Sequence, residues 1–155
     1  MTRIVLAIAG LLTAAVLLSA THPDFSGTWE FNPKKGENVG MMAGMRMTDK
    51  IRQDDSSMVI QTHADFMGKE SDSKVQYDLS GKLAANDSPM AGPSETVTRW
   101  DGDKLVTTWT SRANGTDTKV VRTETRSLSS DGKTMTVELV RAGRDPIALI
   151  YEKKQ

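Results

Sequence analysis

Side chains able to do chemistry are few in this chain, and they are scattered. There are two histidines and no cysteine, so thiolate nucleophiles and disulfides are both excluded. His22 lies in the N-terminal tail and is expected to be mobile. His63 shares a strand-like stretch with Gln61, opposite Met58, Ile60 and Thr62, and is expected to face solvent. No Gly-x-Ser-x-Gly elbow and no His-Glu-x-x-His helix occurs. Carboxylates are plentiful but fall mostly in turns, where Asp has a conformational reason to be. Glu95 with Asp78 is an interior pair that can be drawn, but no motif specifies it. These residues assemble no catalytic set, and the reading is of a non-enzymatic protein without a cofactor.

Methionine forms the densest cluster. Four of the nine lie in Gly40-Met41-Met42-Ala43-Gly44-Met45-Arg46-Met47. Thioethers suit Cu(I), and Met90 or His63 would extend such a site. The spacing is irregular and flanked by glycine, which favours a flap whose methionines touch whatever lies beneath.

The elements that must position these residues alternate in twos. Thr and Val recur, and turn residues come at short intervals, which is an all-β pattern. Asp101-Gly102-Asp103, Ser130-Asp131-Gly132-Lys133 and Ala113-Asn114-Gly115-Thr116 each suit a tight hairpin turn, and Ser80-Gly81-Lys82 is a weaker fourth. About nine strands result, near 26–32, 47–53, 57–64, 73–79, 95–101, 104–112, 117–128, 134–141 and 146–153. Segments 33–46 and 82–94 have no clear period and read as loops.

Parity assigns the faces. Phe25, Gly27, Trp29 and Phe31 share one face. Val75, Tyr77 and Leu79 share another, as do Leu105, Thr107 and Trp109, and Met135, Val137 and Leu139. On 117–128 the charges of Arg122, Glu124 and Arg126 are expected to face water, which turns Val121, Thr123 and Thr125 inward. The last strand, Ile147 to Tyr151, is apolar on both faces, so it is expected to be covered on both sides or to lie at an oligomer contact. Two packed sheets or one closed barrel satisfy this pattern. An antiparallel up-and-down barrel of about eight to nine strands is favoured because closure removes exposed edges. Its lining would mix Trp29, Phe31, Tyr77, Trp100 and Trp109 with Thr62, Thr96, Thr98, Thr107, Thr123 and Thr125. Such a lining suits an amphipathic ligand.

Residues 1–20 read differently. Arg3 precedes an apolar run from Ile4 to Leu18, then Ser19-Ala20. That is a signal-peptide pattern, with an uncleaved membrane anchor as the alternative. Leu18-Ser19-Ala20 resembles the start of a bacterial lipoprotein signal, but Thr21 stands where the lipid-bearing Cys would be. A soluble exported domain of residues 21–155 is therefore expected, with no stable membrane anchor after cleavage. Loss of the leader removes Arg3 and no acid, leaving 19 basic against 20 acidic groups. That balance gives no electrostatic case for nucleic acid.

Pro23-Asp24-Phe25-Ser26-Gly27-Thr28-Trp29 with Asn32-Pro33-Lys34 resembles the calycin superfamily of lipocalins, fatty-acid-binding proteins and avidin-like proteins. Within it, these residues, Trp100-Asp101-Gly102-Asp103-Lys104-Leu105 and the segment 128–137 are similar to small exported bacterial lipocalin-like proteins of unassigned function. The resemblance covers most of residues 21–155. It implies that Trp29 closes one end of the barrel beneath a late basic residue, with Arg141, Arg144 and Lys153 as candidates. It also implies binding of a small apolar or amphipathic molecule in the lumen, in a periplasmic or secreted setting. A protein-interaction module acting through 33–46 and 82–94 is the alternative, and an enzyme on the same scaffold is a further one. The leader reading has a direct test. N-terminal sequencing of exported protein should give a start near Thr21, and intact Met1 in a membrane fraction would refute cleavage.

Overall fold

The computed structural model describes residues 22–88, 91–112 and 116–155. The leader, Met90 and the Ala113–Gly115 part of one expected turn lie outside the described residues. Ten antiparallel strands follow one another: β1 (Gly27–Phe31), β2 (Met45–Gln53), β3 (Ser57–Phe66), β4 (Lys69–Asp78), β5 (Leu83–Ser88), β6 (Gly92–Asp101), β7 (Lys104–Arg112), β8 (Lys119–Leu128), β9 (Thr134–Arg141) and β10 (Ile147–Lys153). The sheet order is β4-β3-β2-β1-β10-β9-β8-β7-β6-β5, a nearly closed up-and-down barrel. One short 3-10 segment, Gly40–Gly44, interrupts the β1–β2 connection. Among the described residues no helix is long and apolar enough to cross a membrane.

The strand count is ten, not eight to nine. The extra strand is β5, inside the stretch read as a loop. Leu83-Ala84-Ala85-Asn86-Asp87-Ser88 is poor in β-formers. It is extended because it pairs with β6 from Leu83↔Val97 to Ser88↔Gly92. The β3–β4 hairpin is also longer than its sequence suggests. Its turn uses Met67 and Gly68, both at positive φ, and methionine gives no turn signal.

The Gly81 turn exists, at φ +83°, but the strands it joins do not form a ladder. Across that seam Asn86 acts as a substitute backbone. Its Oδ1 accepts from Gln76 N at 3.0 Å, and its Nδ2 donates to Gln76 O at 2.9 Å. The same Nδ2 reaches Thr96 Oγ1 at 2.8 Å.

One end of the barrel is packed solid. Phe25, Trp29, Met58, Leu79, Leu105 and Met135 are buried there. Trp29 Nε1 donates to Phe25 O at 2.8 Å. Of the three late basic candidates, Lys153 lies opposite Trp29 in the β1–β10 register. Its Nζ sits 5.2 Å from the centre of the Trp29 ring, in cation–π range. Gly27 makes room for this. Its φ is +137°, and a Cβ there would lie 2.7 Å from Lys153 Cε. His22 is not a free tail, since its ring stacks on Trp100 at 4.2 Å.

Strand β8 reverses the expected parity. Glu124 and Arg126 are buried, while Val121 is 51% exposed. Thr123 and Thr125 therefore lie on the outer face. A one-residue change of parity moves a strand's whole inward set outward. On β10, Leu149 and Tyr151 point into the core. Beyond the end of β1, the edge of β10 is paired at Ala148 by Glu37, through reciprocal backbone hydrogen bonds of 2.9 and 3.0 Å.

The Asn86 clasp should be measurable. Asn86→Ala is expected to cost about 1–2 kcal/mol, since each lost hydrogen bond contributes about 1 kcal/mol net. It should also speed hydrogen exchange at the Gln76 amide, while amides in the β2–β3 ladder stay protected. Unchanged exchange at Gln76 would show that the seam is held by other contacts.

Candidate functional site

Above the solid end the barrel is hollow. A cavity of about 770 Å³ runs from mid-barrel to the other end. Its apolar wall includes Met42, Met45, Met47, Ile60, Val75, Leu139 and Leu149. Both segments read as loops reach it, 33–46 through Met42 and Met45, and 82–94 through Asp87 and Ser88. Met41 points away and is 85% exposed. With Phe66 and Met67 it forms an apolar rim at this end.

The floor of the cavity is charged. Glu124 and Arg126 sit two apart on β8 and face inward together. Arg126 Nη2 lies 2.9 Å and Nε 3.1 Å from Glu124 Oε1. The Tyr77 hydroxyl donates to the same oxygen at 3.0 Å, and Arg126 Nη1 contacts Met135 Sδ at 3.8 Å. Asp49 on β2 is also buried and accepts from Thr62 Oγ1 at 2.6 Å. Tyr151 completes this tier from β10.

The electrostatics follow from burial. Loss of water pushes the Asp49 carboxyl up; Arg126 opposes that shift and Glu124 adds to it. Burial raises the Tyr77 phenol, reinforced by Glu124. Burial also raises Tyr151, reinforced by Asp49. For Arg126 burial disfavours the charge, but Glu124, Tyr77 and Asp49 more than offset it, so its proton is held tightly.

Higher on the wall, β7 and β8 pair Trp109 directly with Arg122. The guanidinium carbon of Arg122 lies 5.0 Å from the centre of the Trp109 ring. Tyr77 meets the same ring edge-on at 5.8 Å. Trp109 Nε1 and Arg122 Nε are both buried without a hydrogen-bond partner.

Of the five aromatic residues singled out from sequence, Tyr77 and Trp109 border the cavity. Trp29 and Phe31 belong to the packed core, and Trp100 packs against it beside Phe25 and His22. Thr62 lines the cavity. Thr96 is buried against the β5 hairpin, and Thr98 bonds to Thr107 at 2.9 Å. Glu95 is exposed, and Asp78 binds its own turn through Ser80, so that pair does not form. His63 is exposed and bonds to Asp72 at 2.9 Å. Among the described residues no group of three or more His, Asp and Glu could hold a metal.

Arg122, Glu124, Arg126 and Asp49 were missed because charge was equated with exposure. Residue order carries no signal for this inversion: on β8 the charges turn inward because Glu124, Arg126 and Tyr77 satisfy one another there. The β7 partner of Arg122 is the inward Trp109.

No family model matches the chain, and no curated protein matches its sequence. Solved structures do match its fold. The fluorescent protein UnaG superposes with a TM-score of 0.66 at 18% identity, over 84% of this chain and 97% of that one. The fold matches that of fatty-acid-binding-protein-like barrels. Lipid binding protein 8 of Caenorhabditis elegans gives a TM-score of 0.65 at 12% identity, over 84% and 95% of the two chains. The Schistosoma mansoni fatty acid binding protein, solved in complex with arachidonic acid, gives 0.64 at 16% identity, over 84% and 96%. At these identities the likeness concerns the fold alone.

The floor cluster should behave as one unit. Arg126→Met leaves a buried carboxylate uncompensated and should cost about 3–5 kcal/mol in urea unfolding. Glu124→Gln with Arg126→Met should recover part of that loss. Additive losses in the double variant would show that the two groups are not coupled.

Proposed function

We propose that this protein binds a small amphipathic or apolar molecule inside its barrel. The observation that carries the reading is the hollow of about 770 Å³. It combines an apolar wall with a few convergent buried polar groups, and lies within the ~300–1,000 Å³ typical of ligand sites. The fold neighbours support the same class, since several are described as fatty acid transporters or lipid binding proteins. The methionines of 42–47 suit a wall that adapts to its occupant. The reading is of a binding protein, not an enzyme. It includes export, on the strength of the leader pattern in residues 1–20.

A second reading uses the rim. Met41 and Met67 are 85% and 86% exposed, as a partner-docking surface would need. The hollow interior favours the first reading, because a pure scaffold gains nothing from an unfilled core.

Native mass spectrometry of protein purified from its own source should reveal a co-purifying small molecule. Adding fatty acids or small aromatics to stripped protein should change the emission of Trp109 on the cavity wall. A clean apo mass, with no fluorescence response across such a panel, would refute lumenal binding.

A further inference from the structure

Three charged side chains on the cavity floor are fully buried: Asp49, Glu124 and Arg126. Glu124 and Arg126 pair at 2.9 Å and neutralise each other. Asp49 is left over. It takes an inward position of β2, between Met47 and Ile51, where alternation calls for an apolar residue. Its Oδ1 accepts from Thr62 Oγ1 at 2.6 Å. Among the described residues its Oδ2 accepts from none, and no Lys or Arg forms an ion pair with either oxygen. Tyr151 lies close enough for the Asp49 charge to push its phenol up, and its hydroxyl has no hydrogen bond to a described residue. Arg122, the other guanidinium on the wall, is half-buried and stands over the Trp109 ring at 5.0 Å. A buried carboxylate is costly and is kept only where it is neutralised or paired. Burial accordingly pushes the Asp49 carboxyl up. A group in that condition on a cavity wall points to a binding role.

We propose that Asp49 and Tyr151 form a head-group subsite for a cation carrying N–H donors, and that the lumen takes an amphipathic amine. The ammonium would donate to Asp49 Oδ2 and to the Tyr151 hydroxyl oxygen, while Thr62 holds Asp49 Oδ1 in place. Its charge would bring the floor, with its two carboxylates and one guanidinium, to neutrality. Arg126 offers little opposition, because Glu124 already neutralises it. A carboxylate at the same place would meet the Asp49 charge in a low-dielectric space. From this subsite the apolar body would pass Met47 and Leu149 toward Met42. The assignment rests on lumenal binding itself.

The test titrates dodecylammonium, 1-dodecanol and dodecanoate, which share one chain length, into delipidated protein by calorimetry at neutral pH. The native protein should bind the ammonium at least about ten-fold more tightly than the alcohol, as a hydrogen bond to a charged group implies. Asp49→Asn keeps an acceptor for Thr62 and should abolish that preference while leaving dodecanol binding intact. Tyr151→Phe keeps the ring against Phe31 and should weaken the ammonium several-fold, with dodecanol unaffected. Thermal unfolding of each variant separates these effects from misfolding, and the Phe variant serves if the Asn variant fails to fold. Equal binding of ammonium and alcohol by the native protein would overturn the subsite alone. Tighter binding of dodecanoate than of the ammonium, or an ammonium preference that survives both substitutions, would overturn it too. Failure of all three to bind would overturn lumenal binding and the subsite with it.

Discussion

The arrangement of this barrel depends on a buried ion pair. Glu124 and Arg126 occupy positions on β8 where a filled barrel would carry Leu or Val. Removing two charges from water is expensive, and their attraction repays it only when the geometry is good and the remaining lone pairs are used. Here three donors converge on one carboxylate oxygen, two from Arg126 and one from Tyr77. That convergence ties β8 to β4 across the interior.

The two ends of the barrel are built on opposite principles. At the solid end Trp29 is covered by Lys153, with Gly27 leaving room for the lysine stem. Cation–π contact and aromatic packing fill the space, and nothing can enter. At the other end the rim is made of the 3-10 segment, the Met67 turn and the β5–β6 hairpin. These carry methionine and small polar residues, which pack adaptably. Between β4 and β5 the backbone ladder is absent, and one Asn86 amide spans the seam. The wall is therefore least tied where the cavity begins.

Polar chemistry inside the lumen is stratified. In the lower tier the Glu124–Arg126–Tyr77 cluster satisfies itself, while Asp49 accepts from Thr62 alone. The upper pair, Trp109 and Arg122, leaves one nitrogen of each unpartnered. A self-satisfied cluster contributes to the fold, whereas an unpaired buried carboxylate lowers the cost of holding a cation.

Much of the architecture was legible from residue order. Alternation gave the inward faces of β1, β4, β7 and β9, because aliphatic and aromatic residues recur there at every second position. The glycine turns at Gly102 and Gly132 marked two hairpins, because only glycine takes positive φ without strain. Strand β5 was not legible, since its Ala, Asn and Asp residues are extended only by pairing with β6. The parity of β8 was not legible either. Whether a charge faces water depends on whether an opposite charge and a phenol stand within 3 Å of it, and residue order does not carry that distance. Trp29 offers the clearest division. Alternation determined that it faces inward on the first strand, and the family resemblance implied that it closes one end. Only tertiary structure decided that Lys153 covers it, because β1 and β10 meet there through closure of a sheet whose first and last strands are more than a hundred residues apart.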